Sequence, residues 1–331
     1  MAPPIPKKRG EFEIIARYFA PLAAEVPGAH GLTDDAAFLD VPPGQELVVK
    51  TDAAIATVHF MADDPPDLVA RKTLRRNLSD LAAKGAVPRW YLVNAAFPKA
   101  AGERWIAAFA KGLAQDQAEF GLHLVGGDTK ATPGSAMFAF TVLGLVRASW
   151  GVHRGGARAG DSIYVTGTIG DGALGLLARQ GKLTFLKPKQ REALIARYRL
   201  PLPRLAVGER LLGVATASID VSDGLVADAG HVSATSKVAM VIEEALLPLS
   251  PATRAAVAAK PALMERVLTG GDDYEILFTA HASAEKVLER IAGETKVPIT
   301  RIGKVEAGKG VTVLDPKGRP REFARTGWVH F

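Results

Sequence analysis

Apolar positions along this chain repeat with two different periods, and the alternation between those periods marks out its elements. Phe12, Ile15, Phe19 and Leu22 fall at three- and four-residue steps, which predicts an amphipathic helix over 11–23. ELVVKTDA and TVHF predict strands, PDLVARKTLRRNLSDLAAKGA a long helix, and WYLVNAAFP another strand. ERWIAAFAKGLAQDQAEFG predicts a helix, and LHLV and MFAFTVLGLV two further strands. The turn-rich stretch GVHRGGARAGD then interrupts the pattern. A second half restarts with the strand SIYVTG, a helix from about 171 and a proline-punctuated helical region over 188–213. The strands TASIDV, VAMVIEEA and EILFTA follow. These patterns predict two domains, 1–150 and 151–331, both mixing helices and strands.

Composition narrows the function classes. Of 331 residues, 48% are hydrophobic and 23% charged, so the chain can build ordinary globular cores. The net charge is +6, but the 41 basic residues are scattered and aromatics make up only 7%, so no stacking surface for nucleic acid is visible. A modest positive balance suits small polyanionic ligands. The absence of cysteine removes disulfides, thiolate nucleophiles and Cys-based zinc sites together. No apolar run approaches the roughly 18–20 residues of a membrane helix, and no secretory pattern opens the chain, so a cytoplasmic protein is expected.

Two glycine motifs invite a phosphate-binding reading. Gly170, Gly172 and Gly175 spell GxGxxG after a strand, but no second strand follows with an acid for a ribose, so a strand-to-helix turn is expected. Gly303 to Lys309 spell GxxxxGK, but Gly310 stands where a Ser or Thr would bind magnesium, and a hairpin turn is expected there. LVGGDT and LTGGDD form a weak echo, read either as an internal duplication or as chance.

The acids carry more. They occur beside Gly, Ser or Thr at strand ends or helix starts in LTDDAAF, VKTDAA, NLSDLAAKGA, VGGDT, IDVSDG and GGDDYE. Any one alone reads as a helix cap. Six together, flanked by apolar strands and glycines, point to a shared ligand. Carboxylates reach phosphate only through a hard cation, and Mg²⁺ takes oxygen ligands and bridges to phosphates. On this reading Asp220 and Asp223 face magnesium carrying a polyphosphate, with Ser222 adding a donor. Asp228 is a cap, a surface residue or a support for the others. Arg154 is either a bidentate phosphate clamp or a solvated loop residue. His59, alternating with Val58 and Phe60, either faces a site or is structural, and Trp328 either anchors a core or stacks on a ring.

In order, GEFEIIARYF, GLTDDAAF, TDAAIATVHF, NLSDLAAKGA, LVGGDT, GARAGDSIYVTGTIGD, IDVSDGL, GGDDYEILF and GWVHF span nearly the whole chain. This set resembles the thiamine-monophosphate kinases, of the superfamily that includes aminoimidazole ribonucleotide synthetase and selenophosphate synthetase. The resemblance implies a two-domain α/β (α+β) fold whose N-terminal domain forms a β-barrel across a homodimer, with a C-terminal α/β domain completing the site. It implies ATP-dependent conversion of thiamine monophosphate to the diphosphate with several Mg²⁺ ions, by direct in-line transfer without a general base.

By the same resemblance, Asp35, Thr51, Asp52, Asp80, Asp128, Asp220 and Asp223 would be metal ligands, with Asp128 and Asp220 the most critical. Gly127, Asp128, Arg154 and Ser222 would touch ATP, and His59, Asp272 and Trp328 the thiamine substrate. The chain departs from the pattern at Lys50, where Ser or Thr is common, and at Asp272, where Glu is usual. Two other readings stand beside this one: an ATP-dependent synthetase of the same superfamily with another acceptor, and a non-catalytic nucleotide or metal sensor.

Overall fold

The computed structural model describes residues 10–327, so Trp328 lies outside the described residues. The chain divides into two compact units. The first comprises the segment up to Pro43, Val49–Asn77 and Pro88–Gly144; the second comprises Gly44–Val48, Leu78–Val87 and the chain from Leu145.

The first unit begins with a helical run, α1 (Glu11–Ile14), continued by a wider turn over Ile15–Phe19 and a tighter one over Ala20–Ala23. The expected amphipathic face is split: Phe19 and Leu22 are buried, but Phe12 is 84% exposed. Four strands follow, β1 (Gln45–Ile55), β2 (Val87–Pro98), β3 (His123–Thr132) and β4 (Met137–Arg147), in the spatial order β1-β4-β2-β3. Helix α2 (Pro66–Lys84) precedes β2, and α3 (Glu103–Phe120) links β2 to its parallel neighbour β3. A connection between parallel strands needs such a crossover, which explains a helical period between two strand periods.

The core of this unit is aromatic. Phe109 of α3 lies 4.4 Å from Phe138 of β4, and Phe97 and Trp105 pack edge-on. Beside it, fully buried Asp116 on α3 binds Arg71 at 2.7 Å and Arg75 at 2.8 Å, which fastens α2 to α3. TVHF is not a strand: Thr57 takes φ +72°, and Thr57 N–H donates to the Phe60 carbonyl at 2.7 Å, closing a turn. Its alternation came from a three-residue loop rather than a pleat.

The second unit is built on six strands: β5 (Ser162–Thr166), β6 (Ala215–Asp220), β7 (Ala239–Glu243), β8 (Ile276–Ala280), β9 (Ile299–Glu306) and β10 (Gly310–Leu314), ordered β10-β7-β9-β5-β8-β6. Among the described residues seven α-helices accompany them: α4 (Asp171–Arg179), α5 (Pro188–Arg199), α6 (Leu205–Arg210), α7 (Leu225–Ser236), α8 (Pro251–Ala259), α9 (Leu263–Thr269) and α10 (Glu285–Thr295). One sheet face packs Ile163, Ile219, Ile242 and Leu277 against Leu174, Leu225 and Val267. The other packs Tyr164, Ile276 and Phe278 against Val207, Leu288 and Ile291. Burial on both faces is why SIYVT and ILFTA are continuous apolar runs rather than alternating ones.

The GxxxxGK segment does not close a hairpin. β9 pairs antiparallel to β7, and β10 pairs parallel to β7 on the far side, so the turn steps across β7. The GxGxxG glycines serve packing: a Cβ on Gly172 would meet the Asp272 carbonyl oxygen at 2.1 Å, and one on Gly175 the Leu194 carbonyl oxygen at 2.2 Å. The GGD echo ends in different settings, since the first copy lies within β3 and the second in a loop before β8. Among the described residues no helix is long and apolar enough to cross a membrane.

Candidate active site

In the second unit the acid-bearing segments converge. β6 ends on Asp220, which is 5% exposed, and the chain turns through Ser222, Asp223 and Gly224 into α7. The loop is gathered by Asp228, whose Oδ2 accepts the N–H groups of Ser222, Asp223 and Gly224 at 3.0, 3.0 and 3.1 Å. One buried carboxylate thus satisfies three donors at a helix start, where backbone N–H groups otherwise lack partners. Burial, with Asp220 and Asp223 nearby, pushes the Asp228 carboxyl well above the usual range.

The GGDDYE segment lies against this loop. Asp272 N–H donates to the Ser222 carbonyl at 3.0 Å, Tyr274 N–H to Val221 at 2.8 Å, and Val221 N–H to Glu275 at 2.8 Å. Only glycine permits the approach, because a Cβ on Gly271 would sit 2.0 Å from the Ser222 carbonyl oxygen. Asp272 and Tyr274 both hold left-handed backbone, φ +71° and +53°, and the Tyr274 hydroxyl donates to Asp272 Oδ1 at 2.8 Å. Such residues cost about 1–2 kcal/mol each relative to ordinary backbone, so the surrounding ladder must enforce them.

The other two acids of the motif are structural. Asp273 accepts from Gly170 and Gly172 N–H at 2.7 and 2.9 Å, and its burial pushes the carboxyl up to about 8 against the pull of those donors. Glu275, fully buried, is held by Arg197 at 2.9 Å, Arg204 at 2.6 Å and the Thr166 hydroxyl at 2.7 Å. Asp80 lies on α2 within electrostatic reach of Lys84, as do Asp220 and Arg154. Lys84 had no part in the sequence reading; its only sequence signal is a cation one turn after Asp80 in a small-residue segment.

The first unit holds its own cluster. A cleft of about 290 Å³ is lined by Asp34, Asp35, Asn94, Gly127, Asp128 and Thr129 over an apolar floor that includes Phe19 and Val125. Gly127 is required here, since a Cβ would strike the Val93 carbonyl oxygen at 2.0 Å. Asp128 Oδ1 accepts Thr129 N–H at 2.8 Å and faces Lys130 Nζ at 3.0 Å; Asp34 Oδ1 accepts Asp35 N–H at 2.7 Å.

Along β1, Thr51 and Asp52 point to opposite faces, as strand neighbours must. Asp52 binds Arg76 at 2.9 Å, and the Thr51 hydroxyl donates to the Phe140 carbonyl at 3.1 Å. His59 sits in the turn after β1, half-buried, with Nδ1 accepting Ile55 N–H at 3.1 Å. The structure therefore groups Asp35, Gly127 and Asp128 in one cluster and Asp80, Arg154, Asp220, Ser222, Asp223 and Asp272 in the other. Carboxylates crowded on a tight loop, with hydroxyl and carbonyl oxygens beside them, form a hard-donor set that fits Mg²⁺. Ligand atoms of Asp223, Asp228 and His231 also lie within 4.8 Å of one another.

Two mixed α/β units with acid-bearing loops define a class, and the comparisons agree on it. The AIR synthase related protein family matches in two parts, its N-terminal domain over residues 33–146 and its C-terminal domain over 158–315. Thiamine-monophosphate kinase of Caulobacter vibrioides is 40% identical over 323 residues, covering 97% of this chain and 90% of that protein. A crystal structure of thiamine-monophosphate kinase from Stenotrophomonas maltophilia superposes with a TM-score of 0.82 at 36% identity, covering 92% of this chain and 98% of the other. AaThiL complexed with AMPPCP and TMP superposes with a TM-score of 0.78 at 31% identity, covering 97% of each chain. The chain belongs to the AIR synthase related family, in its thiamine-monophosphate kinase branch.

Proposed function

We propose that the protein transfers the γ-phosphoryl group of ATP to thiamine monophosphate, giving thiamine diphosphate and ADP. Relatives bearing this activity in their names match nearly the full chain, and one was solved with an ATP analogue and TMP. Within the molecule, the observation that carries the reading is the junction of the IDVSDG and GGDDYE loops. The Ser222–Asp272 hydrogen bond sets the acids proposed for metal and ATP directly beside the acid proposed for the thiamine substrate.

The acceptor is itself a phosphate, so an anionic oxygen is available near neutral pH and no general base is needed. That oxygen bonds to the γ-phosphorus as the bond to the β–γ bridging oxygen breaks. Two phosphate charges about 4 Å apart repel by roughly 4 kcal/mol at an effective dielectric of 20. Catalysis is therefore positioning and charge neutralisation. Asp35, Thr51, Asp52, Asp80, Asp128, Asp220 and Asp223 are assigned to Mg²⁺, which when bound offsets phosphate charge. Gly127, Asp128, Arg154 and Ser222 hold ATP, and His59, Asp272 and Trp328 hold the thiamine substrate. Because Thr51 and Asp52 face opposite ways, they serve one ion together only if Thr51 offers its carbonyl.

We assign an ATP-binding and dimerisation domain to 1–150, a second domain to 151–331, a homodimer as the working form, and a cytoplasmic site of action. The four strands of one chain form an open sheet. Leu47, Val49 and Ile55 of β1, Val58 just after it, and Met137 of β4 are all exposed, an apolar set that a second copy would cover in a shared barrel. The test is chromatographic: purified protein with ATP, Mg²⁺ and thiamine monophosphate yields thiamine diphosphate. ATP binding without diphosphate would overturn the reading in favour of another acceptor or a sensor.

A further inference from the structure

Lys84 stands at the C-terminal end of α2, and three hydrogen bonds radiate from it or its partner. The Lys84 carbonyl accepts Val152 N–H at 3.2 Å, and Lys84 Nζ donates to the Ser218 carbonyl at 2.7 Å. Ser218 N–H in turn donates to the His153 carbonyl at 2.9 Å. The three contacts close a ring through the C-terminal end of α2, the 152–154 loop and β6, and all of these residues lie within the second unit. Each member of the ring carries one candidate site residue close by. Asp80 lies four residues before Lys84 on the same helical face, Arg154 follows His153, and Asp220 lies two residues beyond Ser218 on the same face of β6.

We propose that Lys84 is a positioning residue for the nucleotide and metal site, its ammonium fixing Asp80, Arg154 and Asp220 in one register. The inference rests on the phosphoryl-transfer reading of the second unit. Electrostatics agree with the geometry. Burial lowers the Lys84 ammonium to about 8, Arg154 adds to that effect, and Asp220 and Asp80 oppose it. Two cations held close together beside acids make a setting that a bound polyphosphate completes. The backbone carbonyl of Ser218 is a neutral acceptor, so the tether survives whether or not the neighbouring acids have bound cations.

The test compares Lys84→Met, which keeps the length and removes the donor, with Lys84→Arg, which keeps both donor and charge. Steady-state kinetics and titration of a non-hydrolysable ATP analogue with Mg²⁺ are run on both, with melting curves to establish folding. In Lys84→Met, KM for ATP and the analogue's Kd rise about tenfold or more, the loss expected of one charge-assisted hydrogen bond. KM for thiamine monophosphate stays within about twofold, and Lys84→Arg returns ATP affinity to within about threefold of the original. Unchanged ATP affinity in Lys84→Met, equal losses for both substrates, or a Lys84→Arg variant no better than Lys84→Met would overturn the proposal. Should the unaltered protein bind the analogue yet make no diphosphate, the functional reading falls while the affinity series still decides the role of Lys84.

Discussion

The two acid clusters are built in opposite ways. In the second unit the loop after β6 is wired: Asp228 takes three of its N–H groups, and the GGDDYE segment fastens it by a further ladder. In the first unit the acids hold mainly themselves. Asp34 and Asp128 cap the next residue's N–H, and Asp128 shares an exposed ion pair with Lys130. The rigid polar network of that unit lies elsewhere, where Arg71 and Arg75 enclose Asp116 between two helices. Burial with satisfied hydrogen bonds fixes a geometry in advance, whereas exposed carboxylates take their final positions from the cations they bind. On the proposed assignment, the second unit is the prepared part of the chemistry, and the first would be organised by its ligand.

Breaking the prepared half should do the most damage. Asp220→Asn is expected to lower kcat/KM by at least about a hundredfold with no large change in melting temperature, as measured by steady-state kinetics. Asp228→Ala leaves one buried and two part-buried N–H groups without their acceptor and is expected to cost about 2–3 kcal/mol in denaturant unfolding, with activity lost alongside. Asp128→Asn should show a smaller deficit, about tenfold to a hundredfold, partly recovered by raising Mg²⁺ in the assay. If Asp128→Asn proved more severe than Asp220→Asn at every Mg²⁺ concentration, the contrast between the units would be wrong.

Asp273 sharpens the same contrast through pH. Its folded carboxyl, raised to about 8, binds a proton more tightly than the unfolded chain does. Its contribution is therefore fully present below about 4 and declines as pH rises towards about 8. Melting curves at pH 5 and pH 8.5 should show a steeper loss for the unaltered protein than for Asp273→Asn. The smallest effect is expected at the surface of the first unit: Lys130→Ala removes an ion pair whose partners are 65% and 46% exposed. It should leave the denaturant unfolding midpoint essentially unchanged, because solvent screens so exposed a pair.

Much of this was legible in the sequence, for identifiable reasons. The helices over 66–84 and 103–120 and the strands β2, β4, β5, β6 and β8 follow from apolar period and flanking turns. TVHF misled because four residues are too few to distinguish a strand from a turn. β9, β10 and α10 went unread, and the step across β7 could not be seen because pairing partners are set by the whole sheet. Among site residues, acids beside glycines signalled a ligand locally. What Asp228, Asp273 and Glu275 hold depends on backbone and side-chain groups 4 to 109 residues away, and Lys84 reaches a carbonyl 134 residues away. No local pattern reports such partners.

The contrast between the halves is tested most directly by amide hydrogen exchange, with and without Mg²⁺ and a non-hydrolysable ATP analogue. The account predicts that Val221, Ser222, Asp223 and Gly224 are protected in the free protein and change little on binding. Asp35 and its neighbours exchange quickly and slow only with the ligands. Fast exchange of 221–224 in the free protein, with protection appearing only on binding, would contradict it and leave neither half prepared in advance.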